Sequence, residues 1–224
     1  PALTAALWRP SRVFLKNILH NSKLNILYKN SNFHRKGMVL YMSEELIIKH
    51  CAPTLAGMKT GNMFICSYSD MNEMHSSVRY WNRLLTKKGV RILPLQFNNN
   101  RAMIYIYRPS RLSHDLQNKS AFRLLSERGY SMETPERCIV QLIRRISECK
   151  EFPHEIGLFL GYPPEDVCGF IEGNKQCCKF SGCWKVYGDA EKARKTFEKY
   201  KKCTSAYYKQ YAKGKSIERL TVAG

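Results

Sequence analysis

The stretch VRILPLQFNNNRAMIYIYR, residues 90–108, decides the fold that the sequence predicts. Two runs suited to β-strands, residues 90–97 and 101–108, flank three consecutive asparagines. Asparagine tolerates the positive φ angles of a tight hairpin turn, so we expect the two runs to pair with each other. A third run, Asn62–Ser67, contains Met-Phe-Ile-Cys and predicts another buried strand.

Helical patterns surround these strands. Residues 43–51 predict a short helix. It is expected to end near Cys51, because Pro53 biases the preceding residue away from helical angles. Residues 70–88 predict a long helix that Gly89 closes. Trp184–Tyr187 predicts a last strand. Further helices are expected over residues 110–128, 134–150, 153–161, 163–172 and 189–213.

This order of elements predicts an α+β fold. We expect one mixed sheet of three or four strands, covered by helices, with a helix-rich C-terminal half. The simplest packing of such elements is a sheet with helices against it, because each amphipathic helix must bury its apolar face.

The first 41 residues differ in composition from the rest. They contain seven basic residues and no acidic residue, and they follow no helical or strand period. A helical pattern begins at Met42, where Ser43 can cap a helix whose first turn holds two glutamates. We therefore interpret residues 1–41 as a non-native or disordered extension and residues 42–224 as a single α+β domain. The alternative for the extension is a basic targeting arm.

The formal charge of +19 is typical of proteins that bind nucleic acid. Much of it lies at the ends of the chain, since residues 184–224 hold eleven basic and four acidic residues. The last predicted helix carries a stripe at helical spacing: Phe197, Tyr200, Thr204, Tyr207 and Tyr211. Such a stripe indicates a buried face surrounded by solvated lysines. We therefore disfavour nucleic acid as a partner, and the alternative is a nucleic-acid-binding module on this basic helix.

No apolar run approaches the roughly 20 residues that span a bilayer, so we expect a soluble protein without a membrane partner. The nine cysteines are odd in number and scattered through predicted helices. This pattern favours reduced thiols in the cytoplasm over a disulfide framework. An alternative function is a redox-associated protein that holds zinc or an iron–sulfur cluster through its C-terminal cysteines. The candidate ligands are Cys168, Cys177, Cys183 and Cys203. The absence of a Cys-x-x-Cys pair disfavours this alternative.

Two segments carry the candidate chemistry: HCAPTLAG, which starts at His50, and PHEIGLFLGYP, which starts at Pro153. Cys51 is the most reactive thiol by context if a turn opened by the next proline follows it, because free backbone amides would then stabilise a thiolate. If Cys51 ends a helix, the helix dipole disfavours the thiolate. His154 is the candidate base, with Glu155 as its orienter. We predict these three residues as catalytic; the alternative is a structural role for all three.

Ligand contacts are expected from residues of the same two segments. Gly57–Gly61 superficially resembles a phosphate loop, but it lacks the complete pattern and precedes its strand, so we disfavour a nucleoside triphosphate site. A lysine there can still contact an anionic ligand. The predicted ligand-binding residues are His50, Thr54, Lys59, Gly157, Gly161 and Tyr162.

Together the two segments resemble the signature of an uncharacterised domain-of-unknown-function family, number 3793, from anaerobic Gram-positive bacteria. The likeness covers the chain from Met42 to the last helix and includes Gly182–Tyr187, which matches Gly-x-Trp-Lys-Val-Tyr. The family has no established activity, so the resemblance implies a bacterial cytoplasmic protein from an anaerobe but names no reaction and no cofactor. The hypothesis is therefore that the two segments form one pocket for a small anionic or thiol-reactive ligand, with or without thiol chemistry.

Overall fold

The computed structural model describes most of the chain from residue 38 onward. The backbone is described over residues 33–35, 38–149, 151–173 and 178–224, and side chains from residue 41 onward. Most of the predicted extension therefore lies outside the described residues.

Short strands and many helices make up the described part. The strands are β1 (Phe33–Arg35), β2 (Met38–Leu40), β3 (Gly61–Ser67), β4 (Arg91–Asn98), β5 (Arg101–Tyr107), β6 (Phe180–Ser181) and β7 (Lys185–Val186). The α-helices are α1 (Glu44–Leu55), α2 (Met71–Leu85), α3 (Pro109–Leu116), α4 (Lys119–Glu127), α5 (Pro135–Glu148), α6 (Ile156–Phe159), α7 (Pro164–Ile171), α8 (Ala190–Ala212) and α9 (Ile217–Leu220). This composition confirms the α+β fold with a helix-rich C-terminal half.

The central sheet has the strand order β3-β5-β4. The predicted hairpin is confirmed: Asn99 and Asn100 join β4 to β5 with φ angles of 45° and 58°. Both strand pairs are antiparallel, so the sheet is not mixed. The predicted strand at Trp184–Tyr187 does not join this sheet. Its centre forms β7, which pairs only with β6, because the two follow each other closely enough to form a local hairpin.

Side chains of the central sheet alternate between two helical layers, as the two-residue period of a strand requires. Ile104 and Ile106 of β5 point to one face, which packs against α1, α2 and the C-terminal half of α8. Tyr105 and Tyr107 point to the other face, which packs against α3 to α7. We call these the α1 face and the α6 face.

The aromatic stripe of α8 is partly buried and packs against the core, as the core interpretation predicts. Phe197 and Tyr200 pack with Trp184 of the β6–β7 hairpin. Tyr207 and Tyr211 pack against the α1 face of the sheet. α8 therefore links the small hairpin to the main core. None of the described helices combines the length and the hydrophobicity that crossing a bilayer requires.

Helix α1 continues past the predicted end, so that prediction was wrong. Pro53 lies inside the helix, in its last turn. The helix ends instead at Leu55, and Gly57, whose φ angle is 73°, turns the chain away from it. The Gly57 amide donates to the Thr54 carbonyl at 3.1 Å, and the Met58 amide donates to the Pro53 carbonyl at 2.8 Å. This paired ending satisfies the last carbonyls, and burial of the helix against the sheet outweighs the donor lost at Pro53.

The prediction of one helix over residues 110–128 was also wrong, because this stretch forms two helices, α3 and α4. They separate at Asn118, whose side chain accepts hydrogen bonds from the amides of Ser120 and Ala121. An asparagine in this role begins a new helix. The predicted helix over residues 153–161 is shorter than expected. Only Ile156–Phe159 is helical, and Gly161 follows with a φ angle of 74°.

Candidate functional site

The second signature segment contacts the short loop that joins the first segment to β3. Gly161 lies so close to Thr60 that a Cβ atom there would be 2.6 Å from the Thr60 Oγ1 atom. The Lys59 Nζ atom lies 5.1 Å from the centroid of the Tyr162 ring. This contact is possible because Gly161 has no side chain and adopts a left-handed conformation that favours glycine.

Lys59 is a buried lysine at this contact. Its residue is 5% exposed, and its Nζ atom donates to the Gly61 carbonyl at 2.5 Å. Burial lowers the pKa of Lys59 to about 8, although the nearby thiols of Cys183 and Cys51 act in the opposite direction. Within the described part of the chain, Lys59 forms no ion pair with a carboxylate. Its ammonium group is therefore buried without an anionic partner there.

Cys183 packs in the same cluster as Tyr162 and Tyr200 and lies near enough to Lys59 for their charges to interact. Burial raises the pKa of the Cys183 thiol, and the Lys59 ammonium opposes this shift. Burial, and then the nearby Cys183, raise the pKa of Tyr200 to about 12. The pKa of Tyr162 is raised by the same two causes in the same order. We call Lys59, Tyr162, Cys183 and Tyr200 the Lys59 centre.

The β6–β7 hairpin places Cys183 at this centre, and Asp166 of α7 holds the hairpin. The Asp166 carboxylate is 4% exposed. It accepts hydrogen bonds from the Tyr187 amide at 2.7 Å, the Gly188 amide at 2.8 Å and the Trp184 indole nitrogen at 2.7 Å. Trp184 in turn stacks on Tyr162, with ring centroids 4.7 Å apart. A buried carboxylate with three such donors is satisfied, so its role here is structural.

Helix α3 supplies polar side chains beside the Lys59 centre. The Thr60 hydroxyl donates to the Asp115 carboxylate, and the Arg111 guanidinium donates to the Gly57 carbonyl. Arg111 and Asp115 both lie close enough to Tyr200 to affect its pKa, the first lowering it and the second raising it. One cation and one carboxylate therefore line this side of the centre.

Arg108, which the sequence did not single out, fixes the end of α1. It follows β5 directly and is 2% exposed. Its Nε atom donates to the Thr54 carbonyl at 2.6 Å, and its Nη2 atom donates to the carbonyls of Leu55 and Val222 at 2.7 Å each. A cation is favourable at the C-terminal end of a helix dipole. Arg108 therefore holds in place the loop that carries Lys59.

The three predicted catalytic residues lie in different surroundings. Cys51 is fully buried on the α1 face, and burial raises the pKa of its thiol. Glu155 is 1% exposed on the other side of the sheet, where Tyr130 donates to it at 3.0 Å and Arg145 pairs with it at 3.0 Å. His154 packs edge-on against Phe170 with ring centroids 4.9 Å apart, and burial lowers its pKa. The sheet separates Cys51 from Glu155, so their joint catalytic role stays a prediction that this geometry does not favour.

Three of the six predicted ligand-binding residues, Lys59, Gly161 and Tyr162, lie together. The other three have contacts of their own. His50 stacks on a phenylalanine ring 5.2 Å away, and burial lowers its pKa to about 4. The hydroxyl of Thr54 donates to Asn62 at 2.7 Å. Gly157 packs under a side chain of α7: an added Cβ would lie 2.8 Å from a Val167 methyl group.

Two members of the Lys59 centre were missed as ligand contacts, although the sequence carried a signal for each. Cys183 lies inside the Gly-x-Trp-Lys-Val-Tyr element, where it was considered only as a metal ligand. Tyr200 belongs to the partly buried stripe of α8, and its place in the same cluster as Cys183 depends on the packing of α8 against the hairpin. Periodicity predicts burial but not which neighbour a buried side chain meets.

Of the four cysteines predicted as alternative metal ligands, Cys177 lies outside the described residues. Among the residues that are described, no group of three or more His, Cys, Asp or Glu side chains has the geometry of a metal site. The described cysteines, Cys183 among them, are free thiols.

We expect Gly161→Ala to destabilise the protein by about 2–4 kcal/mol, because it combines left-handed strain with a collision against Thr60. Gly129→Ala is a matched control, since Gly129 has a φ angle of 76° but no atom within 4 Å of an added Cβ. That control should cost only about 1 kcal/mol. Urea denaturation of both variants measures the difference. Equal losses of stability would contradict the tight contact between Gly161 and Thr60.

Comparison with known proteins identifies the family. Searches of curated proteins and of solved structures gave no match. The family model described as "Protein of unknown function (DUF3793)" matches residues 47–221, which is more than half of the chain and includes the entire Lys59 centre. The chain therefore belongs to the DUF3793 family.

Proposed function

We propose that the protein binds a small anionic molecule at the Lys59 centre. The observation that carries this proposal is the buried ammonium group of Lys59, which has no carboxylate partner in the described part of the chain. A buried charge without a counter-charge is costly. Ionisable groups perturbed by burial cluster at functional sites, where a ligand can supply the opposite charge.

The neighbours of Lys59 suit an anion. The hydroxyls of Tyr162 and Tyr200 have raised pKa values, so both are neutral hydrogen-bond donors near pH 7. Neither hydroxyl forms a hydrogen bond to another described residue, so both are available as donors. Asp115, the carboxylate on this side of the centre, already accepts from Thr60. The centre therefore offers one cation and several donors to the oxygens of a carboxylate or phosphate group.

The proposal also covers a thiol-reactive ligand and a cytoplasmic location, and both are argued from the Lys59 centre. Cys51 and Cys183 both lie near Lys59, but Cys51 is buried whereas Cys183 is partly exposed, so a thiol-reactive ligand would meet Cys183 first. A free thiol in a ligand site requires a reducing compartment. For this reason the proposal includes a cytoplasmic location.

Anions should stabilise the protein in a way that depends on Lys59. At constant ionic strength, we expect phosphate or pyruvate to raise the melting temperature relative to chloride, because a ligand that binds only the folded state shifts unfolding by mass action. The effect should be larger at pH 7 than at pH 9, since burial lowers the pKa of Lys59 to about 8 and the anion needs the protonated form. Thermal unfolding followed by circular dichroism measures it.

The matched control for this experiment is Lys87→Met, which removes an exposed lysine after α2. Lys59→Met should abolish the response to anions, whereas Lys87→Met should leave it unchanged. An equal response of both variants would show that the anions act on the surface charge of the whole protein, and the proposal would then be rejected.

A further inference from the structure

The Lys59 amine is held in a fixed position inside the protein. Its Nζ atom donates to the Gly61 carbonyl and lies over the Tyr162 ring. Gly61 in turn accommodates Tyr105, because a Cβ atom on Gly61 would be 2.5 Å from that ring. An amine that donates to a carbonyl still has its lone pair for reaction once it has lost a proton. A flexible surface lysine has no such preorganised geometry.

The amine is also the group of this centre that loses its proton most readily. Burial lowers the pKa of Lys59 to about 8, whereas burial raises the pKa of Cys183 and of Tyr200. A neutral thiol is a poor nucleophile, while a neutral amine is a good one. Near neutral pH, the nucleophile of the Lys59 centre is therefore the amine, and the thiol and the phenol are neutral acids beside it.

We propose that Lys59 forms a Schiff base with the carbonyl group of a small 2-oxo acid. The inference rests on the proposed function, because the carboxylate of such a ligand is the anion that brings it to the Lys59 centre. In a 2-oxo acid the carboxylate is bonded to the carbonyl carbon. It therefore compensates the charge of the ammonium before the reaction and the charge of the protonated imine after it.

The reaction balances with groups that are present. The lone pair of the neutral Lys59 amine forms a C–N bond to the carbonyl carbon as the C=O π bond breaks, and the oxygen takes up a proton to give a carbinolamine. Loss of water from the carbinolamine then forms the imine. The attacking nitrogen loses a proton and the oxygen gains one, so this step needs no further acid or base overall. The overall change is amine plus ketone to imine plus water.

Reductive trapping with pyruvate tests this inference. Full-length protein is incubated with pyruvate and sodium cyanoborohydride at pH 7.5, and the added N-carboxyethyl group is located by peptide mass spectrometry. We expect Lys59 to be labelled at least about tenfold faster than the exposed Lys87, because far more of its amine is neutral at this pH.

Lys59→Arg separates the inference from the proposed function. Arginine keeps the cation but cannot form a Schiff base. We expect this variant to remain stabilised by pyruvate while its trapping at position 59 is lost. If pyruvate stabilises the wild-type protein but labels Lys59 no faster than Lys87, the Schiff base is rejected and anion binding stands. If pyruvate neither stabilises the protein nor labels Lys59, both proposals fail.

Discussion

Replacement of Arg108 by methionine is expected to destabilise the protein by about 3–5 kcal/mol, the largest loss among the substitutions considered. The guanidinium group is buried and donates to the carbonyls of Thr54, Leu55 and Val222. Methionine fills much of the same volume but donates nothing. Three buried carbonyls would then lose a charged donor. The free energy lost in this way is far larger than the free energy gained by no longer burying a charge. The midpoint of urea unfolding measures the change.

Arg111→Met is the matched control for this substitution. Arg111 lies one turn further along the chain and donates to a single carbonyl, that of Gly57, but its side chain is exposed. Its loss should cost less than about 1 kcal/mol. Arg108→Lys should fall between the two, because lysine keeps the charge but cannot reach several carbonyls with one planar group. Equal effects of Arg108→Met and Arg111→Met would mean that solvent replaces the donors of Arg108 and that it does not fix the end of α1.

Lys59→Met is expected to change the free energy of unfolding in the opposite direction, stabilising the ligand-free protein by about 2 kcal/mol at pH 7. Burial displaces the pKa of Lys59 from 10.5 to about 8. That displacement corresponds to roughly 3 kcal/mol of unfavourable free energy for the charged form. Removing this cost stabilises the variant, but loss of the hydrogen bond to the Gly61 carbonyl offsets about 1 kcal/mol of that stabilisation. A substitution that improves stability and removes anion binding is the expected signature of a residue kept for function.

The pH dependence of this difference identifies its cause. The pKa of Lys59 in the folded state is lowered, so the unfolded chain binds more protons between about pH 8 and pH 10.5. The penalty is therefore complete below pH 8 and disappears as the pH rises towards 10.5. The advantage of Lys59→Met over wild type should shrink across this interval, while Lys87→Met should show no comparable change. A constant advantage from pH 7 to pH 10 would contradict burial of a charged amine.

Local sequence patterns were sufficient for most of the secondary structure. Asparagines at positions 99 and 100 specify the hairpin because few other residues adopt positive φ angles. Thr134 and Asp189 begin helices because their side chains accept from the amides three residues further on. The predictions failed where tertiary contacts compete with local preference. Pro53 remains helical because α1 is buried against the sheet and because its own carbonyl accepts from Met58.

The candidate site was predictable only in part. The glycines and the tyrosine of PHEIGLFLGYP, and the lysine just after HCAPTLAG, indicated where a ligand would lie. Lys59, Gly161 and Tyr162 do lie together. The same reasoning joined Cys51 to Glu155, which the structure places on opposite faces of the sheet. A spacing along the chain constrains which face of an element a residue occupies, but it does not specify which distant element that face meets.

The amino-acid sequence by itself determined the α+β class, the hairpin, the helix starts and the family to which the chain belongs. These depend on backbone preferences and periodicity, which act over a few neighbouring residues. Only the tertiary structure decided that Lys59 is buried without a carboxylate partner, that Cys183 and Tyr200 lie beside it, and that Arg108 caps α1 from the end of a strand. Burial and charge compensation depend on residues more than a hundred positions apart, and folding alone brings these together.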